Sequence, residues 1–171
     1  MTDKMPLEIE RKYLIRRPDA ATLTALPEVR ADEITQTYLT MGEDGFSRRV
    51  RKRGTAERGW QYTYTRKRTV GFGKRIELED EITEAQYQAL LQEAEPSMHT
   101  ISKVRYVFRH LGQVFELDVY AFSDTTATLE IELPSIDTPV TLPEQIEILR
   151  DVTGEPGFSN FALSKKLAFP E

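Results

Sequence analysis

The sequence lacks cysteine altogether, so neither a disulfide framework nor a thiolate metal site is available to it. It holds two histidines, His99 and His110, and neither has metal-ligand spacing or a nucleophile partner. Apolar runs are short. None approaches the ~20 residues that a membrane helix requires. The first residues, 1–6, carry charge and lead straight into a strand pattern, so no signal peptide and a cytoplasmic location are expected. Internal repeats and low-complexity linkers are missing too, and a single domain over residues 1–171 is the expectation.

What is present is charge, unevenly placed. Charged residues make up 30% of the chain and the net charge is −5. Yet the segment from Arg48 to Arg75 holds Arg48, Arg49, Arg51, Lys52, Arg53, Arg58, Arg66, Lys67, Arg68, Lys74 and Arg75 against a lone Glu57. A local basic block in an acidic chain points to an anionic partner held by one part of the fold.

Strand patterns dominate. Period-2 stretches run at roughly 7–15, 33–40, 46–53, 60–68, 74–82, 101–109, 113–121 and 127–133, joined by short polar or glycine-bearing links that read as hairpins. Asp19 caps a short helix through Leu26, Thr83-Glu84-Ala85-Gln86 opens a second through about Glu93, and Pro143 opens a third ending near Gly154. A last helix starts at Ser159 and carries Leu163 and Leu167.

Side chains alternate across a strand, and here the alternation separates apolar residues from nearly pure charge. One face shows Glu8, Glu10 and Lys12 on the first strand, and Arg49, Arg51 and Arg53 on the third. It continues with Thr63, Thr65 and Lys67, then Arg75, Glu77, Glu79 and Glu81, then Lys103 and Arg105, Glu116 and Asp118, and Glu130 and Glu132. Same-sign neighbours on one face repel unless something bridges them. Carboxylate pairs suit a hard divalent cation, and arginine or lysine pairs suit phosphate. Eight antiparallel strands can close into a barrel with helices outside. Its charged interior would then be a wet tunnel, because burying so many ions dry costs several kcal/mol each. An open sheet with a solvated charged side is the alternative.

These residues resemble a known family. Glu8-Ile9-Glu10-Arg11-Lys12 has the E-x-E-x-K form that opens the triphosphate tunnel metalloenzymes, or CYTH-domain proteins. Arg49-Val50-Arg51 resembles the R-x-R element, and Thr65-Arg66-Lys67 the strand-end lysine. Arg75-Ile76-Glu77-Leu78-Glu79 resembles R-x-E-x-E, and Lys103-Val104-Arg105 resembles K-x-R. Asp118 and the pair Glu130-Ile131-Glu132 follow in order. The resemblance implies an eight-stranded antiparallel tunnel barrel with flanking helices. It implies Mg²⁺ or Mn²⁺ held by Glu8, Glu10, Asp118, Glu130 and Glu132, and triphosphate held by Lys12, Arg49, Arg51, Lys67, Arg75, Lys103 and Arg105. Members hydrolyse inorganic tripolyphosphate, thiamine triphosphate or nucleoside triphosphates, and a few cyclise ATP. The compact form beginning E-I-E-R-K is most similar to the bacterial inorganic tripolyphosphatases.

Lys103 is then a candidate to stabilise or protonate the leaving phosphate. Glu77 and Glu79 are candidates for the base, or for orienting Arg75 and its neighbours. The chain departs from close relatives at Asn160-Phe161, where a lysine often follows the asparagine, and basic residues are missing from 154–158. The implied partner is a small triphosphate, with a homodimer left open. A non-catalytic polyphosphate or RNA binder is a further reading, against which the acidic pairs argue through their repulsion of a polyanion. Gly71-Phe72-Gly73-Lys74 is read as a hairpin rather than a phosphate loop, because Arg75 stands where Ser or Thr is needed.

Overall fold

The computed structural model describes residues 9–71, 74–135 and 137–171, with the backbone alone at 69–71 and 74–75. Nine strands and three short α-helices make up the described chain. In order these are β1 (Ile9–Arg16), α1 (Ala20–Thr24), β2 (Arg30–Leu39), β3 (Ser47–Thr55), β4 (Gly59–Gly71), β5 (Lys74–Ile82), α2 (Glu84–Leu91), β6 (Ile101–His110), β7 (Gln113–Tyr120), β8 (Thr126–Leu133), β9 (Ile148–Asp151) and α3 (Asn160–Lys166). A 3-10 turn at Pro156–Phe158 precedes α3. The protein is mostly antiparallel β with few helices. The hydrogen-bonded strand order is β5-β4-β3-β2-β6-β7-β8-β1-β9.

The expected closed eight-stranded barrel is not formed by these pairings. The helix expected from Pro143 to Gly154 is replaced by β9, which pairs antiparallel with the edge of β1 that β8 leaves unused. With β9 on that edge and β5 ending the order at the other side, the sheet is open among the described residues. The mistaken helix has a plain cause. Pro143 and Glu144 look like a first helical turn, but Ile146 and Ile148 sit two apart, and pairing with β1 decides the outcome.

Contacts group the described chain into two compact units, residues 9–31, 105–119 and 123–155 in one, and 32–104, 120–122 and 156–171 in the other. In the first unit the apolar face of β1, β7 and β8 presents Tyr13, Ile15, Phe115, Leu117, Leu129 and Ile131, all buried. Leu23 and Leu26, in and just after α1, pack on it together with Ile146. Each such side chain contributes about 1.5–3 kcal/mol through removal from water. Asp19 starts α1 by accepting a hydrogen bond from the Thr22 amide.

In the second unit β2 to β5 form a meander. Val50, Tyr62 and Leu39 face α2, whose Tyr87 stacks against Tyr62 with ring centroids 4.9 Å apart. Trp60 and Tyr64 pack on the same cluster. The capping box expected at Thr83 and Gln86 is formed in full. Gly54, at φ +145°, lets the β3–β4 hairpin close tightly, because a Cβ there would lie 2.1 Å from the Gly59 carbonyl oxygen. In both units the apolar sides meet helical segments, and the alternating charged residues that the sequence set apart from them occupy the opposite side.

Candidate functional site

The charged side of the first unit is built by β1, β7, β8 and the second half of β6. Strand register sets Glu10 opposite Glu132, Lys12 opposite Glu130, and Glu116 opposite Glu130. The cations and acids that the sequence assigned to different ligands pair with each other here. Lys12 Nζ lies 2.9 Å from Glu130 Oε1. Arg105 donates through Nε and Nη2 to the two oxygens of Asp118, at 2.8 and 2.9 Å, and its Nη1 lies 3.0 Å from Glu116. Burial opposes the Arg105 charge, but the hydrogen bonds to Asp118 and the nearby carboxylates of Asp118, Glu116 and Glu130 outweigh it. The guanidinium therefore stays firmly protonated. The Thr128 hydroxyl, also fully buried on this side, has no hydrogen-bond partner among the described residues.

Glu10 and Glu132 are exposed. Glu116 and Glu132 line a recess of about 510 Å³ with Val107, Gln113 and Leu133. As a donor set these carboxylates suit a hard divalent cation, since every candidate atom is an oxygen. Among the described residues no group of three or more His, Cys, Asp or Glu side chains is drawn together for a metal ion. Glu8, the first expected ligand, lies outside the described residues.

The charged side of the second unit centres on β3. Register places Arg49 between Tyr38 and Thr65, and Arg51 between Gln36 and Thr63. Arg51 donates through Nε and Nη2 to the Gln36 carboxamide oxygen at 3.1 and 2.9 Å, and Gln36 is fully buried. Arg49 Nη2 lies 3.4 Å from the Thr65 hydroxyl, which in turn donates to Glu79 Oε1 at 3.0 Å. Arg49 Nε is buried without an acceptor among the described residues. Burial raises the Tyr38 phenol pKa, and Arg49 and Arg51 pull it only partly back. Lys67 Nζ lies 3.7 Å from Glu77 Oε1. Glu77 and Glu79 thus contact the cation and hydroxyl on β4 that stand opposite them in register. The backbone of Arg75 lies on β5, opposite Thr69.

Arg53 belongs to the same face but is held differently. Asp32, only 3% exposed, takes Arg53 Nε at 2.9 Å and Arg58 Nη2 at 2.7 Å. This pairing fixes the β3–β4 hairpin to β2. Lys103, 3% exposed on β6, donates to Asn160 Oδ1 at 3.4 Å. The arrangement of Arg49, Arg51 and Lys103 on hydroxyl and carboxamide partners suits a multiply charged oxyanion.

Sequence reasoning did not single out Gln36, Asp32, Thr65 or Asn160 as partners of these cations. A polar Gln36 between Ile34 and Tyr38 on one strand face was the available signal for the first. For Asn160 the signal was its place just before Phe161, where a lysine often follows the asparagine in related chains.

No family model and no curated protein matches the sequence. Solved structures do. Two crystal structures of NE1496, described in one as a hypothetical protein and in the other as an inorganic triphosphatase, are similar at 31% and 29% identity. The alignments cover 95% and 98% of this chain and 99% of theirs, each with a TM-score of 0.63. The PH1819 protein of Pyrococcus horikoshii OT3 shares the fold at 17% identity, over 75% of this chain and 81% of its own, with a TM-score of 0.51. With the ordered motifs from Glu10 to Glu132, these matches lead to one conclusion: the chain belongs to the triphosphate tunnel metalloenzyme, or CYTH-domain, family.

Proposed function

We propose that the protein is a divalent-metal-dependent triphosphatase that cleaves the terminal phosphoanhydride of inorganic tripolyphosphate, giving pyrophosphate and phosphate. The observation that carries this reading is Arg49. Its Nε is a buried donor lacking an acceptor, its Nη2 meets only a hydroxyl, and no carboxylate pairs with it among the described residues. Arg11 and Arg66 also have an unpartnered Nε, but their guanidiniums reach Asp151 and Asp80. A half-buried guanidinium whose Nε lacks an acceptor and that faces a hydroxyl is suited to an anion that the substrate brings. The name given to NE1496 supports the same activity.

In this reading Arg49 and Arg51 grip the phosphate chain, with Lys67, Arg75 and Lys103 adding charge, while Gln36 and Thr65 fix the guanidinium planes. Glu79 holds the Thr65 hydroxyl, so it orients the arginine face. Glu10 and Glu132, with Glu8, Asp118 and Glu130, would hold Mg²⁺ or Mn²⁺. When bound, such an ion offsets charge on the phosphate oxygens and lowers the pKa of coordinated water. Lys12 and Arg105 hold Glu130, Glu116 and Asp118 in place. In this reading Lys103 donates to the leaving phosphate oxygen, whose charge grows as the anhydride bond breaks. Phosphoryl transfer asks chiefly for this positioning and charge stabilisation.

The test is phosphate release from tripolyphosphate, ATP and thiamine triphosphate with Mg²⁺ and with Mn²⁺. Tripolyphosphate should show the highest kcat/KM, and EDTA should abolish turnover. Preference for a nucleotide, or cyclic AMP as the main product from ATP, would overturn the assignment.

A further inference from the structure

Side chains on one side of a strand come two residues apart, and on the charged side of β8 they are Thr128, Glu130 and Glu132. Register sets each of them in a row with its neighbours. Glu132 stands opposite Glu10 of β1, Glu130 between Lys12 of β1 and Glu116 of β7, and Thr128 between Leu14 of β1 and Asp118 of β7. Exposure falls along these rows. Glu10 and Glu132 are exposed, Glu116 and Glu130 are half-buried, and Asp118 and Thr128 are buried at 2% and 0%. Thr128 is the deep end of the carboxylate row.

A threonine in that place needs a reason. Valine has nearly its shape and the same preference for a strand, and it would fill the position without a polar atom. Thr128 instead carries a hydroxyl out of reach of bulk water and without a hydrogen-bond partner among the described residues. The Leu14 side chain has no polar group to offer it. Asp118, directly opposite on the other flank, turns both carboxylate oxygens to Arg105. A buried polar atom left in this state points to an ordered water or an ion that completes it.

The charge around the hydroxyl decides which. Asp118, Glu116 and Glu130 outnumber Lys12 and Arg105 there, so a phosphate oxygen is disfavoured. A bare divalent cation prefers carboxylate oxygens to a lone hydroxyl. Water is left, in the form that a hard cation carries, since Mg²⁺ sheds its waters reluctantly and usually keeps several.

We infer that Thr128 is a positioning residue for the divalent cation: its hydroxyl accepts a hydrogen bond from a water that the ion carries and so seats the hydrated ion at the deep end of the carboxylate row. This deepens the proposed metal-dependent reading and rests on it. Thr128 touches neither ion nor phosphate; it acts through the water.

Titration with Mn²⁺ alone, counting the free ion by its paramagnetic resonance signal, tests this without turnover. Thr128→Val should bind Mn²⁺ about ten- to a hundredfold more weakly, the range for losing a group that supports a metal's ligands. Thr128→Ser keeps the hydroxyl and should bind nearly as tightly as the unsubstituted protein. Without metal the order reverses. Thr128→Val should unfold at the same urea concentration or a higher one, because a methyl group replaces an unsatisfied hydroxyl. Thr128→Ser leaves a small gap and should unfold earlier. A purely structural hydroxyl would not give this reversal.

Weaker Mn²⁺ binding by Thr128→Val, restored in Thr128→Ser, supports the inference even if tripolyphosphate is not hydrolysed, in which case the triphosphatase reading alone fails. Turnover with equal Mn²⁺ affinity in all three proteins would leave that reading standing and overturn the inference. A loss of stability in metal-free Thr128→Val with Mn²⁺ affinity unchanged would overturn it too, by assigning the hydroxyl to a fixed water of the fold.

Discussion

In the first unit, Lys12 and Arg105 lie against carboxylates, at 2.9 Å from Glu130 and 2.8 Å from Asp118. In the second, Arg49, Arg51 and Lys103 have hydroxyl and carboxamide oxygens of Thr65, Gln36 and Asn160 as hydrogen-bond partners. The two arrangements use the same residue types for different ends. The Arg105–Asp118 pair, with both partners buried, satisfies its charges within the chain and is costly to break. Arg49, held by the neutral Thr65 hydroxyl and by no carboxylate among the described residues, keeps its charge, because its partner fixes geometry without cancelling it. Outward-facing cations of the basic block obey neither pattern. Arg48 and Arg66 flank Tyr64 and reach Glu93 and Asp80, and Lys52 lies over Trp60, around the cluster that α2 covers. These three of the block's eleven cations thus form a rim around packed aromatics rather than a ligand surface.

The comparison can be broken most severely through the exposed acids. Glu10→Gln and Glu132→Gln should each bring turnover close to zero while leaving the unfolding midpoint nearly unchanged, and EDTA should do the same to the unsubstituted protein. Activity that survives EDTA, or that is undiminished in both variants, would remove the metal from the account.

The self-contained pair should respond in the opposite way. Arg105→Ala leaves Asp118, 2% exposed, as a buried acid without its bidentate partner. A loss of about 3–5 kcal/mol of stability is expected, read by urea denaturation. A stability loss under about 1 kcal/mol would show that water replaces the guanidinium, and the pair would no longer count as structural.

The smallest effect concerns acid stability. The Thr153 hydrogen bond, with Arg11 adding, holds the Asp151 carboxyl below its ordinary value. A depressed folded-state pKa contributes stability that is full above the ordinary carboxylate value and fades as pH falls through the lower folded value. Asp151→Asn should therefore flatten the acid side of the stability curve slightly and leave neutral-pH activity intact. An unchanged acid midpoint would remove Asp151 from that balance.

Much of this was legible in the residues. Strict alternation gave eight of the nine strands and separated the charged sides from the apolar ones, because period 2 follows from backbone geometry alone. Asp19, Thr83 and Ser159 marked three helix starts through local capping chemistry. The ninth strand was not legible, since β9 owes its form to pairing with β1, more than a hundred residues away in sequence. The site divided similarly. Residue type and face placed Arg49, Arg51, Lys103, Glu10 and Glu132, but which cation an acid neutralises depends on cross-strand register. Lys12 with Glu130 and Arg105 with Asp118 are products of that register, as are the Gln36 and Thr65 supports.

The account turns on Arg49 as the group that takes a phosphate chain. Calorimetric binding of the imido analogue of tripolyphosphate with Mg²⁺, compared between the unsubstituted protein and Arg49→Ala, tests it most directly. Loss of a charge-assisted contact of about 1.5–3 kcal/mol predicts affinity weaker by roughly ten- to a hundredfold, with the melting temperature of the free protein unchanged. Equal affinity in the two proteins would contradict the account.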